Sequence, residues 1–108
     1  MNQATDILGA MNRQDAIATL RRHEAALRAR GVLHAALFGS VARGDERSDS
    51  DIDVLVEIDP DAVRDVYSYV GLKDFVAGLF DGPVDVVDRE ALKPSLKAAA
   101  TSDSLYAF

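Results

Sequence analysis

The sequence predicts an α+β fold: one domain over residues 1–108, a small mixed β-sheet with helices packed on one face. Three observations lead there. Residues 32–38, VLHAALF, are an almost continuous apolar run, as expected for a strand inside a sheet. Residues 51–58 and 84–87 are two further strand-like runs, broken by aspartates and one glutamate. Segments with helical periodicity or helix-starting residues stand before, between and after these runs, so the helices and the sheet must share one core.

The elements are taken in chain order. Asn12 has N-cap chemistry, and Asp15 stands at the third helical position behind it. The helix that begins there is expected to run to about residue 30, with Ile17, Leu20, Glu24 and Leu27 on one face. Arg28 and Arg30 suit its last turn, and Gly31 suits a left-handed stop. The strand 32–38 is read as central and covered on both sides. Gly39-Ser40 ends it, and a polar segment leads to the strand 51–58. So short a link favours an antiparallel pair. Asp59-Pro60-Asp61 is a turn, and a second helix is expected over residues 63–80, with Val66, Val70, Phe75, Val76, Leu79 and Phe80 as its apolar positions. Gly71 weakens its middle by about 1 kcal/mol relative to alanine. Asp81-Gly82-Pro83 is a turn into the strand 84–87, and Asp88 can cap the next short segment. Pro94 fits the first turn of a last helix ending near residue 102, and residues 105–108 can add an edge strand.

Composition narrows the function classes. A formal charge of −6 argues against broad electrostatic binding of nucleic acid, which needs clustered lysine and arginine. A bound nucleotide stays open, because a metal can supply the positive charge. There is no cysteine, so a disulfide framework and thiolate metal sites are excluded. No apolar run approaches the roughly 20 residues that span a bilayer, and no leader pattern opens the chain. A cytoplasmic protein without membrane contact is expected.

The chemistry concentrates between Leu37 and Val56. In a strand, residues i and i+2 share a face, so Asp51 and Asp53 point the same way. Two neighbouring carboxylates repel, and a divalent cation between them relieves that. The Gly39-Ser40 turn offers backbone N–H groups and a hydroxyl, a cradle suited to phosphate. Asp85 is a third carboxylate on a third strand. Each feature alone has a plain structural explanation: Gly-Ser is a common turn, and alternating charge marks any half-exposed strand. Their conjunction points to phosphoryl or nucleotidyl transfer.

Gly39-Ser40, then the ten residues 41–50, then Asp51-Ile52-Asp53 resembles the signature of the DNA polymerase β-like nucleotidyltransferases. The surroundings, FGSVARGD, SDSDID and PVDVV, resemble the minimal nucleotidyltransferases (MNT), the antitoxins paired with HEPN-domain toxins. The resemblance implies a nucleotidyltransferase-like fold and a role for each matched residue. Asp51, Asp53 and Asp85 would be the catalytic carboxylates and the ligands of one or two Mg²⁺ ions. Gly39 and Ser40 would bind the nucleotide. Arg43 is assigned to the nucleotide too, although it could equally pair with Asp45 or Asp49.

The resemblance further implies the reaction: Mg²⁺-dependent transfer of AMP from ATP to a tyrosine hydroxyl of a cognate HEPN ribonuclease toxin. A protein of another class is the alternative, a non-catalytic antitoxin that neutralises its partner by binding alone. A small-molecule nucleotidyltransferase is more distant, since so short a chain has little beyond the catalytic sheet to hold a second small substrate.

Overall fold

A computed structural model describes residues 12–39 and 52–108. The elements in chain order are α1 (Arg13–Arg22), α2 (Glu24–Ala29), β1 (Val32–Phe38), β2 (Ile52–Ile58), α3 (Val66–Ala77) and β3 (Val84–Asp88). A 3₁₀ turn (Arg89–Ala91), α4 (Pro94–Asp103) and β4 (Leu105–Tyr106) complete them. The sheet order is β3-β2-β1-β4. β1 runs antiparallel to β2 and to β4, whereas β2 and β3 are parallel, so the sheet is mixed as expected.

The first helix starts where its chemistry says it should. Asn12 Oδ1 accepts the Asp15 N–H at 2.8 Å. The expected single helix is two. At His23 the backbone N–H is shared between the carbonyls of Thr19 and Leu20, and the ring Nδ1 lies 2.9 Å from the Thr19 carbonyl. The apolar stripe continues across this break, because Ile17, Leu20 and Leu27 are all buried. Gly31 then adopts φ +99°, and a Cβ there would stand only 2.7 Å from Val63 Cγ2. The chain stops and turns in a conformation that L side chains avoid.

β1 has the predicted bounds and lies inside the sheet, but it is not covered along its whole length. Leu33 is 43% exposed and His34 is exposed too. The β1–β2 register shifts between Val32 and His34, and β4 pairs only with Ala36 and Leu37, so the start of β1 lacks a second neighbour.

α3 is shorter than the expected 63–80. Residues after Pro60 form a turn instead: Asp59 O accepts the N–H groups of Ala62 and Val63, and Asp59 Oδ1 accepts the Asp61 N–H. The helix begins only after Asp65, whose Oδ1 accepts the Ser68 N–H at 2.7 Å. That bond holds the Asp65 carboxyl below its ordinary pKa. The apolar face is as expected at Phe75, Val76, Leu79 and Phe80, which are buried or packed on the core, and differs over the first turns. Leu72 and Val76, one turn apart, are buried, while Val66 and Val70 are 64% and 49% exposed. The helix runs unbroken through Gly71. Asp88 caps the 3₁₀ turn through Glu90 N–H, and Pro94 opens α4, both as expected.

One core joins the helices to one sheet face. Ile17, Leu20 and Leu27 from α1 and α2 meet Leu72 and Val76 from α3 over Ala35, Leu37, Ile52, Val54, Val56 and Val86. On the other face the register sets Phe38, Asp53 and Asp85 at one end and Ala36, Leu55 and Val87 further along. Ala36 and Leu55 are buried, so only part of that face meets solvent. Leu37 is fully buried opposite Val54. Leu37→Ala should therefore lower stability by about 2–5 kcal/mol, read as a drop in the urea midpoint at unchanged slope. Among the described residues no helix is long and apolar enough to cross a membrane.

Candidate active site

The candidate site lies at one end of the three neighbouring strands β3, β2 and β1. β1 ends at Phe38, which stands opposite Asp53 on β2. Asp53 in turn stands opposite Asp85 on β3. Residues opposed in a ladder share a face at a strand spacing of about 4.8 Å. Asp53 and Asp85 thus point to the same side from adjacent strands. The register is held by Ile52 N–H to Pro83 O at 3.0 Å and by the core residues Val54 and Val86, paired just beyond the aspartates.

Gly39 comes directly after Phe38 with φ +77°, in the left-handed region. A Cβ at this position would collide with Asp53 Oδ2 and lie 3.3 Å from Asp53 Cγ. The missing side chain of Gly39 is therefore the space that the Asp53 carboxylate fills. Only glycine satisfies both the backbone angle and the close approach. Asp53 is half-buried and Asp85 is exposed, so the pair grades from the sheet interior toward the edge strand. Two carboxylates at strand spacing repel by roughly 1 kcal/mol even in water.

The structure brings together three of the residues that the sequence marks, Gly39, Asp53 and Asp85. Ser40, Arg43 and Asp51 lie outside the described residues. Among the described residues no group of three or more His, Asp or Glu gathers as a metal site. The donor chemistry nevertheless fits a hard cation. Carboxylate oxygens suit Mg²⁺, which commonly uses one or two protein carboxylates together with substrate phosphate. The space left by the missing Gly39 side chain admits one of these carboxylates.

Tyr69 is not among the residues that the sequence marks, and α3 carries it to the same sheet edge. Its hydroxyl pKa is raised by burial, then by the Asp88 carboxylate, and more weakly by Asp85. In sequence Tyr69 is one more aromatic residue of a helix, and no spacing ties it to β3.

The fold is that of minimal nucleotidyltransferases. A solved structure described as a minimal nucleotidyltransferase superposes with a TM-score of 0.74 at 29% identity, covering 88% of this chain and 95% of that one. The chain belongs to the nucleotidyltransferase domain family, whose model matches residues 20–107. Protein adenylyltransferase MntA of Thermococcus cleftensis is 30% identical over 88 residues, which span 81% of this chain and 87% of the relative. The fold is also shared with the MNT antitoxin bound to a tri-AMPylated HEPN toxin of Shewanella oneidensis. There the TM-score is 0.58 at 20% identity, over 85% of this chain and 71% of that one.

Proposed function

We propose that residues 1–108 form a single catalytic domain that transfers AMP from ATP to a tyrosine hydroxyl of a cognate HEPN ribonuclease toxin. The protein acts as the cytoplasmic antitoxin of that pair. The observation that carries this reading is the juxtaposition of Asp53 and Asp85 on adjacent strands beside the Gly39 cradle. Family membership supports the reaction class, and the adenylyltransferase name of the Thermococcus relative supports AMP as the transferred group. The AMPylated toxin held by the Shewanella antitoxin supports the acceptor class.

Each residue has a distinct task. Gly39, lacking a side chain, lets the triphosphate approach the backbone, and Ser40 donates its hydroxyl to a phosphate oxygen. Arg43 adds a positive charge on the same segment. Asp51, Asp53 and Asp85 would hold Mg²⁺, which when bound neutralises triphosphate charge and lowers the pKa of the acceptor hydroxyl. Asp85, exposed on the edge strand, faces the side from which a protein acceptor can arrive. Through the ion it would help to hold, it would favour the deprotonated acceptor. The acceptor oxygen then bonds to the α-phosphorus, the bond from that phosphorus to pyrophosphate breaks, and the hydroxyl proton leaves to solvent. Positioning and charge neutralisation supply the rate, with no covalent enzyme intermediate.

The test is direct. The protein is incubated with Mg²⁺, ATP and the HEPN-type protein encoded beside it, and the partner is weighed by mass spectrometry. The expected result is a partner heavier by one or more adenylates, with pyrophosphate released in equal number. A partner bound stably but never gaining mass would establish the non-catalytic antitoxin instead.

A further inference from the structure

The first turns of α3 leave three large apolar side chains in solvent: Val66 is 64% exposed, Tyr67 86% and Val70 49%. A lone exposed valine is ordinary, but three neighbours on one helix face make a patch. At about 100° per residue, Tyr67, Val70 and Asp74 point away from the buried Leu72 and Val76, and Val66 stands beside Val70 on the side of Tyr69. Gly71 belongs to the same face, with open space where a Cβ would stand. Tyr69, half-buried beside Asp88 of β3, joins this face to the edge strand.

Charge decides what can cover the patch. Residues 59–88 hold seven aspartates and no glutamate against Arg64 and Lys73, a net charge of −5 where the whole chain carries −6. Asp65, Asp74 and Asp85 are exposed around the apolar centre. Both cations are engaged within the chain: Arg64 Nε donates to Asp61 O at 3.0 Å, and Lys73 Nζ stands 5.5 Å from the centre of the Tyr69 ring. A second copy of this chain would bring the same negative charge against the patch. Nucleic acid and an anionic membrane surface would be repelled as well. A protein with an apolar centre and a basic rim fits.

We propose that this face of α3 is the docking surface for the acceptor protein. Tyr67 would seat in an apolar pocket of the partner, and lysine or arginine side chains of the partner would stand against Asp65 and Asp74. This docking rests on the reading of the chain as a protein adenylyltransferase, and it places the grip on the acceptor apart from the reacting groups. A ribonuclease needs a basic surface to hold its polyanionic substrate, so an acceptor of that class carries the rim this face demands. A partner seated there reaches across Tyr69 to β3, the outer strand of the described sheet and the one that carries Asp85. Asp85 and Asp88 stand three residues apart on that strand, about 10 Å. Docking and chemistry thus occupy separate places along one edge, and mutation can divide them.

The test uses the full chain and the HEPN-type protein encoded beside it. Binding is measured by isothermal titration calorimetry without ATP, and transfer is followed separately as partner mass at a series of partner concentrations. Tyr67→Ala should weaken binding at least about tenfold, and Val70→Asp by a similar factor. Asp74→Lys should weaken it about threefold at physiological salt, and less at high salt, where the rim is screened. In transfer, Tyr67→Ala should raise the KM for the partner about tenfold and leave kcat within about twofold. Leu96→Ala, on α4 and 55% exposed, should change neither binding nor transfer. A parent chain that binds the partner but adds no adenylate would refute the transfer reading alone, and loss of binding in the α3 variants would still establish the docking. Parent-like binding by both Tyr67→Ala and Val70→Asp, with circular dichroism showing them folded, would overturn it. So would a fall in kcat at unchanged KM, which would put Tyr67 in the chemistry, or the absence of any complex between the parent chain and the partner.

Discussion

Asp53→Asn should reduce adenylate transfer by at least about 10³-fold, which corresponds to roughly 4 kcal/mol of transition-state stabilisation. The substitution keeps the shape and removes the charge. Asp53 is the inner member of the carboxylate pair and the one packed against Gly39. A neutral amide is a poor ligand for a hard cation and cannot offset the charge around the triphosphate. Folding should survive, because asparagine keeps the size and shape of the half-buried side chain. The far-ultraviolet circular dichroism spectrum should match that of the parent. Partner mass and circular dichroism read the two effects separately. Equal labelling by Asp53→Asn and the parent would refute the metal-ligand role.

Gly39→Ala should be the second most damaging change, and for a different reason. The alanine must adopt φ +77°, which costs an L residue roughly 1–2 kcal/mol. Its methyl group would also occupy the space of the Asp53 carboxylate. Moving that carboxylate by about 1 Å should cost on the order of 10²-fold in transfer. The expected result is a lower urea midpoint and a strongly reduced rate at saturating ATP. A double variant with Asp53→Asn should be no slower than Asp53→Asn alone, because both changes act on the same carboxylate. Independent, multiplicative losses would place the main role of Gly39 in the approach of the triphosphate to the backbone.

Most of the fold is legible in residue patterns because its signals are local. The N-cap at Asn12, the stop at Gly31, the apolar run of β1 and the proline opening α4 each act within a few residues. Pattern and structure part where two local signals compete or a distant partner decides. Asp59-Pro60-Asp61 offers helix-starting chemistry, but Asp59 spends it on a closed turn, and Asp65 starts α3. The break at His23 is hidden because the buried stripe runs straight across it. Val66 and Val70 look like core positions, yet the sheet takes Leu72, which the pattern does not mark, beside the expected Val76, and leaves those valines exposed.

The site is partly legible for a similar reason. Alternation places Asp53 and Asp85 on strands. Whether the two strands are neighbours, parallel and in this register depends on contacts between residues about 30 positions apart. The approach of Gly39 to Asp53 is likewise invisible, since a glycine in a turn has many possible causes.

The parallel pairing of β2 with β3 has a consequence for how activity is acquired. These strands cannot zip from a hairpin; the chain must first complete a crossover through residues 59–83. Closing so long a loop loses entropy before any ladder bond repays it. Asp53 and Asp85 meet only after that slow closure. A chain that has not yet made this crossover therefore keeps Asp53 and Asp85 apart, and their juxtaposition is a property of the completed topology alone.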